Sequence, residues 1–113
     1  MLNVAYSLDT LLDGVSLNDE QSTNPLNIKN MIGYSAEFIW SAGSVSRSVT
    51  LELRASNTED GGFTVIDSYT IDGNEGVRLI NVEYPRYNWI KVTSSNASAG
   101  GGTLTVTIAG RGI

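Results

Sequence analysis

From Ile32 onward the chain alternates apolar and polar residues with a period of two. In the run GYSAEFIW, Tyr34, Ala36, Phe38 and Trp40 fall on one side and Ser35 and Glu37 on the other. Successive side chains of a β-strand point to opposite faces, so this alternation predicts a half-buried strand. Val49, Leu51, Leu53 and Ala55 repeat the pattern against Thr50, Glu52 and Arg54. Phe63, Val65, Tyr69 and Ile71 mark another strand, interrupted near Asp67 and Ser68. Residues 77–82 read as a strand with Pro85 beyond its end, and Asn88, Ile90 and Val92 alternate with Trp89 and Lys91. Leu104, Val106 and Ile108 alternate with Thr103, Thr105, Thr107 and Ala109. If Ile90 and Val92 face the core, Trp89 faces outward.

Turn formers separate these runs: Ser41-Ala42-Gly43-Ser44, Asp60-Gly61-Gly62, Asp72-Gly73-Asn74-Glu75-Gly76, and a small-residue loop over 94–102. About six to eight short strands with no helical period predict an all-β fold, an antiparallel β-sandwich of jelly-roll-like type. The last two strands are expected to pair as a hairpin across Gly100-Gly101-Gly102. The first thirty residues read differently. Leu11, Leu12, Val15 and Leu17 sustain neither period, turn formers recur at Asp9, Asp13-Gly14 and Asn18-Asp19-Glu20, and Pro25 restricts Asn24 to extended conformations. The expected organisation is an irregular N-terminal arm or loop-rich segment over 1–30 and a β-sandwich over 31–113, a single domain overall.

Composition narrows the chemistry. The 113 residues are 41% hydrophobic and only 17% charged, with 12 glycines, which suits a strand-and-turn protein rather than a helix bundle. Seven basic residues are scattered singly against 12 acidic ones, for a net charge of -5. Phosphate backbones and anionic membranes need concentrated positive charge, so neither is an expected partner. With no cysteine and no histidine, disulfides, zinc fingers, thiol nucleophiles and histidine triads are excluded. The first residues lack the basic and apolar regions of a signal peptide, and no apolar run approaches the roughly 20 residues of a membrane span.

The polar candidates each have a plainer explanation. Asn57, Glu59 and Asp60 offer hard oxygen ligands suited to calcium, but their spacing is not that of a helix-flanked calcium loop, and Asp60-Gly61-Gly62 is what a tight turn requires. Asp72, Asn74 and Glu75 are explained by a turn at Asp72-Gly73. Glu37 and Glu52 would have to converge to act as a hydrolytic carboxylate pair, and Arg54, two residues from Glu52, points instead to a solvated ion pair. Gly100-Gly101-Gly102 has no following lysine or helix and is no phosphate loop. Asn96-Ala97-Ser98 matches a glycosylation acceptor but has no secretory context. No catalytic residue, metal or cofactor is expected. The aromatics Trp40, Trp89, Tyr84 and Tyr87 are candidates for a stacking platform or an interface. Trp89 is expected to be covered by the N-terminal segment or to lie in an interface.

The order of short motifs over residues 32–112 resembles that of small tailed-bacteriophage virion proteins. The matching residues are Ala55-Ser56-Asn57, Gly62-Phe63, Trp89-Ile90-Lys91-Val92, Gly102-Thr103-Leu104 and Arg111-Gly112. The inserted Thr58-Glu59 and the lack of an aromatic-Arg-Tyr run around Lys91 depart from that pattern. The resemblance implies a structural β-sandwich, a capsid decoration or cement protein that stabilises the head shell. It would be made in the host bacterial cytoplasm, located in the virion, bound to the major capsid protein or other virion proteins, and homo-oligomeric. Candidate interface residues are Leu2, Val4, Tyr6, Leu11, Leu12, Tyr84, Tyr87 and Trp89. The strand order also looks like that of galactose-binding-type jelly rolls. That likeness implies the alternative, a carbohydrate- or receptor-binding tail or fibre module with Trp89 or Trp40 stacking on the sugar.

Overall fold

The computed structural model describes residues 5–41, 43, 48–72, 75–96 and 101–112. Their strands are β1 (Ala5–Ser16), β2 (Gln21–Ser22), β3 (Leu26–Asn27), β4 (Met31–Trp40), β5 (Ser48–Ser56), β6 (Thr64–Asp72), β7 (Gly76–Glu83), β8 (Trp89–Asn96) and β9 (Thr103–Gly112). They form two antiparallel sheets. The first has four strands in the order β1-β9-β4-β7; the second runs β2-β8-β5-β6, with β3 also paired to β8. Among the described residues, β5 and β6 are the one consecutive pair that hydrogen-bond to each other. Most other connections cross from one sheet to the other. The fold is therefore the all-β sandwich that the alternation predicts.

The core lies between the sheets and is built from the apolar side of each alternating run. Phe38 of β4 and Leu104, Val106 and Ile108 of β9 come from the first sheet, Leu51, Leu53, Ile90 and Val92 from the second, and all are buried. Fully burying one such side chain is worth about 1.5–3 kcal/mol, so these inner faces dominate stability. On the open side between edge strands β6 and β7, polar groups close the sandwich. Arg78 of β7 donates from Nε and Nη2 to the two carboxylate oxygens of Asp67 on β6, each at 3.0 Å. The Arg78 guanidinium also lies 4.9 Å from the centre of the Tyr69 ring, which packs 5.7 Å from Trp40. The interruption read at Asp67 is a register shift: Leu53 pairs with Asp67 but Arg54 with Val65, leaving one extra residue in β6.

Two expectations need correction. Residues 5–16 are not an irregular arm but a 12-residue strand, β1, paired along β9. Its register shifts between Thr10 and Leu12 and again between Leu12 and Val15, and Gly14 has a φ of 63°. Each shift resets the alternation, so Leu11, Leu12, Val15 and Leu17 fit no single period although Leu12 and Leu17 are both in the core. Asn24-Pro25 separates β2 from β3, two short pieces that pair with the same strand, β8. The second correction concerns the expected hairpin of the last two strands. β8 and β9 lie in different sheets, β8 beside β5 and β9 between β1 and β4. Alternation tells which face of a strand is buried; it does not tell which strand lies beside it.

A Cβ at Gly76 would come within 2.6 Å of the Trp40 ring, a rigid group already held by Tyr69. Gly76→Ala is expected to cost about 1–3 kcal/mol through overpacking, and Phe38→Ala about 3–5 kcal/mol through cavity formation. Urea unfolding of both variants, with an unchanged m-value, checks this.

Candidate functional site: two outer faces and a loop cleft

The outer face of the four-stranded sheet is a register of four rows. Tyr6, Arg111, Gly33 and Glu83 form the first, and Leu8, Ala109, Ser35 and Asn81 the second. Thr10, Thr107, Glu37 and Leu79 form the third; Thr105, Ile39 and Val77 form the fourth. Arg111 and Glu83 flank Gly33 on β4, and Arg111 Nη2 lies 2.7 Å from Glu83 Oε2. A Cβ at Gly33 would come 3.0 Å from Arg111 Nη2 and 3.4 Å from Glu83 Oε2, so the glycine lets the pair span the middle strand. A groove of about 200 Å³ opens there, bordered by Tyr6 and Tyr34. Apart from that pair, Glu37 is the charged residue in these four rows. Around it are exposed apolar side chains: Leu79 at 56%, Val77 at 60%, Ile39 at 42% and Leu8 at 71%. Val77 and Ile39 are direct cross-strand partners, and Leu79 lies two residues along from Val77.

The outer face of the other sheet has a different character. Arg54 pairs with Glu52, and Thr93 donates a hydrogen bond to the same carboxylate oxygen at 3.2 Å. The Lys91 ammonium sits 5.0 Å from the centre of the Phe63 ring. Trp89 does face outward, half-buried between Asn27 of β3 and Ser56 of β5. Trp40, by contrast, is 6% exposed and cannot stack on a ligand. Glu37 and Glu52 face outward from different sheets and do not form a carboxylate pair.

The candidate interface residues do not form one surface. Tyr6 and Tyr84 are exposed, Leu11 packs against the core and Leu12 is part of it. Both leucines are taken up by the bulged strand, which leaves neither free for a partner. Tyr87 is half-buried, and its hydroxyl lies 2.7 Å from that of Tyr34. Leu2 and Val4 lie outside the described residues. Sequence reading missed Ile39, Val77 and Leu79. In the run GVRLINVE apolar residues fall on both faces and Arg78 takes an inward position, so the outward Val77 and Leu79 do not stand out.

Residues 57–60 are exposed, and the loop is held by local bonds: Thr58 N donates to Ser56 Oγ at 3.2 Å and Gly61 N to the Thr58 carbonyl at 3.4 Å. Among the described residues no group of three acidic side chains is placed to hold a metal. Gly73 and Asn74 of the second turn lie outside the described residues. The loop nevertheless borders a cleft of about 440 Å³ shared with the segment after β7. Ser56, Asn57, Thr58, Gly61 and Gly62 line one side, Arg86 and Tyr87 the other. The glutamate and aspartate of the loop, Glu59 and Asp60, are not among its lining residues.

No protein-family profile and no curated protein sequence matches this chain. Solved structures do share its fold. The SPBc2 prophage-derived protein YomS superposes with a TM-score of 0.68 at 11% identity, covering 98% of this chain and 96% of that one. The PBSX exported protein XepA gives 0.63 at 9% identity over 92% of this chain and 36% of its own. The infectious bursal disease virus VP2 subviral particle gives 0.60 at 10% over 96% and 32%. This chain thus spans nearly all of YomS and about a third of the other two. At these identities the likeness is one of fold.

Burial raises the pKa of Tyr34 above the ordinary value of 10.0, reinforced by its bond to Tyr87; burial also raises Tyr87. The fold therefore favours both neutral phenols. Their contribution is complete below about pH 10, where unfolded tyrosine begins to ionise, and is lost as pH rises toward the folded values. Unfolding free energy is expected to fall above about pH 10. Tyr34→Phe is expected to cost about 1 kcal/mol at neutral pH and to flatten that alkaline decline. Urea titrations between pH 7 and 11 measure both.

Proposed function

We propose that this protein is a structural component of a bacteriophage virion, a decoration or cement protein that docks on the head shell. The outer face of the four-stranded sheet would be its contact surface. The observation that carries the reading is the exposed apolar group Ile39, Val77 and Leu79 on a sheet face whose rows hold the Arg111–Glu83 pair and Glu37. Apolar side chains gathered on an otherwise polar surface mark interaction sites. The choice of occupant follows from the fold, which is shared with a prophage-derived protein over nearly its full length and with a protein of a viral particle. The partner is then the major capsid protein or another virion protein, and repeated copies would stabilise the shell by mass action. A homo-oligomer on the shell would present the same face repeatedly.

Residues 5–16 already form β1, and Leu12 and Leu17 complete the core, so truncation through residue 22 would remove core as well as any contact. Point changes on the outer face separate the two effects. The wild-type chain is expected to co-sediment with undecorated capsids at a saturable, fixed ratio to capsid subunits. Val77→Thr with Leu79→Lys is expected to weaken that binding at least tenfold while leaving the urea midpoint nearly unchanged, because both side chains are exposed and a lysine at 79 stands opposite Glu37. Absence of wild-type binding, or equal binding by the folded double variant, would remove the docking reading.

A further inference from the structure

We infer that the cleft between residues 56–62 and 84–88 is a binding site for an acidic sugar, with Arg86 taking its carboxylate. The charge pattern points there first. Arg54, Arg78 and Arg111 each sit on a carboxylate of this chain, Glu52, Asp67 and Glu83. Arg86 is the arginine among the described residues with no such partner, although the chain carries a net charge of -5. It lines a cleft of about 440 Å³, a size within the range of small-molecule sites. A guanidinium matches a carboxylate in a planar, two-point geometry and is more weakly hydrated than an ammonium, which suits recognition at a partly enclosed site.

The rest of the lining separates a sugar from a bare anion. Ser56, Asn57 and Thr58 bring hydroxyl and amide groups, while Ile66 and the half-buried Tyr87 supply apolar wall. A pyranose is amphipathic in the same way, with hydroxyls around its rim and C–H groups on its faces. Gly61 lets the loop close tightly on itself, since a Cβ there would collide with the Thr58 hydroxyl. The two walls are also tied together before any ligand arrives. Asn88 donates from Nδ2 to the Asn57 carbonyl at 3.3 Å and from its backbone N to the Ser56 carbonyl at 3.2 Å. Tyr87 is anchored through its hydroxyl to Tyr34. With both walls tied in this way, less ordering remains to oppose binding.

This site is independent of the apolar sheet face, so its test does not depend on capsid docking. The full chain, labelled with nitrogen-15, is titrated with D-glucuronate, with neutral D-glucose and with acetate. D-Glucuronate is expected to move the amide signals of residues 56–62 and 84–88 in a saturable way. D-Glucose and acetate are each expected to bind at least tenfold more weakly. Arg86→Gln, which removes an exposed charge, is expected to keep the spectrum of the folded chain and lose at least tenfold in glucuronate affinity, with partial recovery in Arg86→Lys. If glucuronate moves no signals, or moves signals elsewhere, the site is wrong. If acetate binds as tightly, the cleft takes an anion and not a sugar; if glucose does, or if folded Arg86→Gln binds unchanged, Arg86 has no part in recognition.

Discussion

Two sheets must keep their inner faces dry against each other, and every other property of this chain depends on that. It has no cysteine to staple it, and its described residues form no helix to cover a sheet, so apolar burial between the sheets supplies the stability. That constraint explains why Phe38, Leu51, Val92 and Val106 recur at every second position. It also explains where polar groups are permitted. Asp67 and Arg78 occupy inward-facing positions only because they lie on the edge strands β6 and β7, where the two-point ion pair satisfies both at the open side of the sandwich. Closing an edge with charge also discourages unwanted strand addition there.

The same constraint decides what a reader of the sequence can see. The central strands β4, β5, β8 and β9 have one wet face and one dry face, so their alternation is legible and their buried residues follow from it. β1 is legible only in hindsight. Two register shifts move Leu12 and Val15 onto the inward side at positions where a regular strand would not place them, and the pattern looks irregular although the strand is 12 residues long. The partner of a strand is less visible still. β8 and β9 have equally clear alternation and a glycine-rich link, yet they belong to different sheets, because pairing depends on how the whole chain winds.

Candidate contact residues were legible in proportion to how far they break the alternation. Trp89 stands against Ile90 and Val92, and its outward direction follows at once. Ile39, between the buried Phe38 and Trp40, breaks the rule that outward positions are polar, but one apolar residue on a strand is ordinary. Only the pairing of β4 with β7 brings Ile39, Val77 and Leu79 together, and that pairing joins residues almost forty apart in sequence. The arginines differ in the same way: Arg54 stands two residues from Glu52 and its pairing is legible, but nothing in the sequence distinguishes Arg86 from Arg78 or Arg111 until their ion pairs are seen.

The two outer faces and the loop end then have different physical capacities. The four-stranded sheet offers exposed apolar side chains beside one ion pair and Glu37, a surface with area to share with another protein. The second sheet offers internally paired charge, with Glu52 already shared between Arg54 and Thr93, and has little left to offer a partner. The loop end offers a concave, polar space, its walls tied through Asn88, with Arg86 on its lining. A flat apolar face gains most by excluding water over a large area, whereas a small cleft gains most from a few aligned hydrogen bonds. The sandwich can carry both because the residues that hold it together point inward and those that would meet a partner point outward or lie in loops. Changes at Leu79 or Arg86 therefore test function with little interference from folding, while changes at Leu12 or Trp40 test folding first.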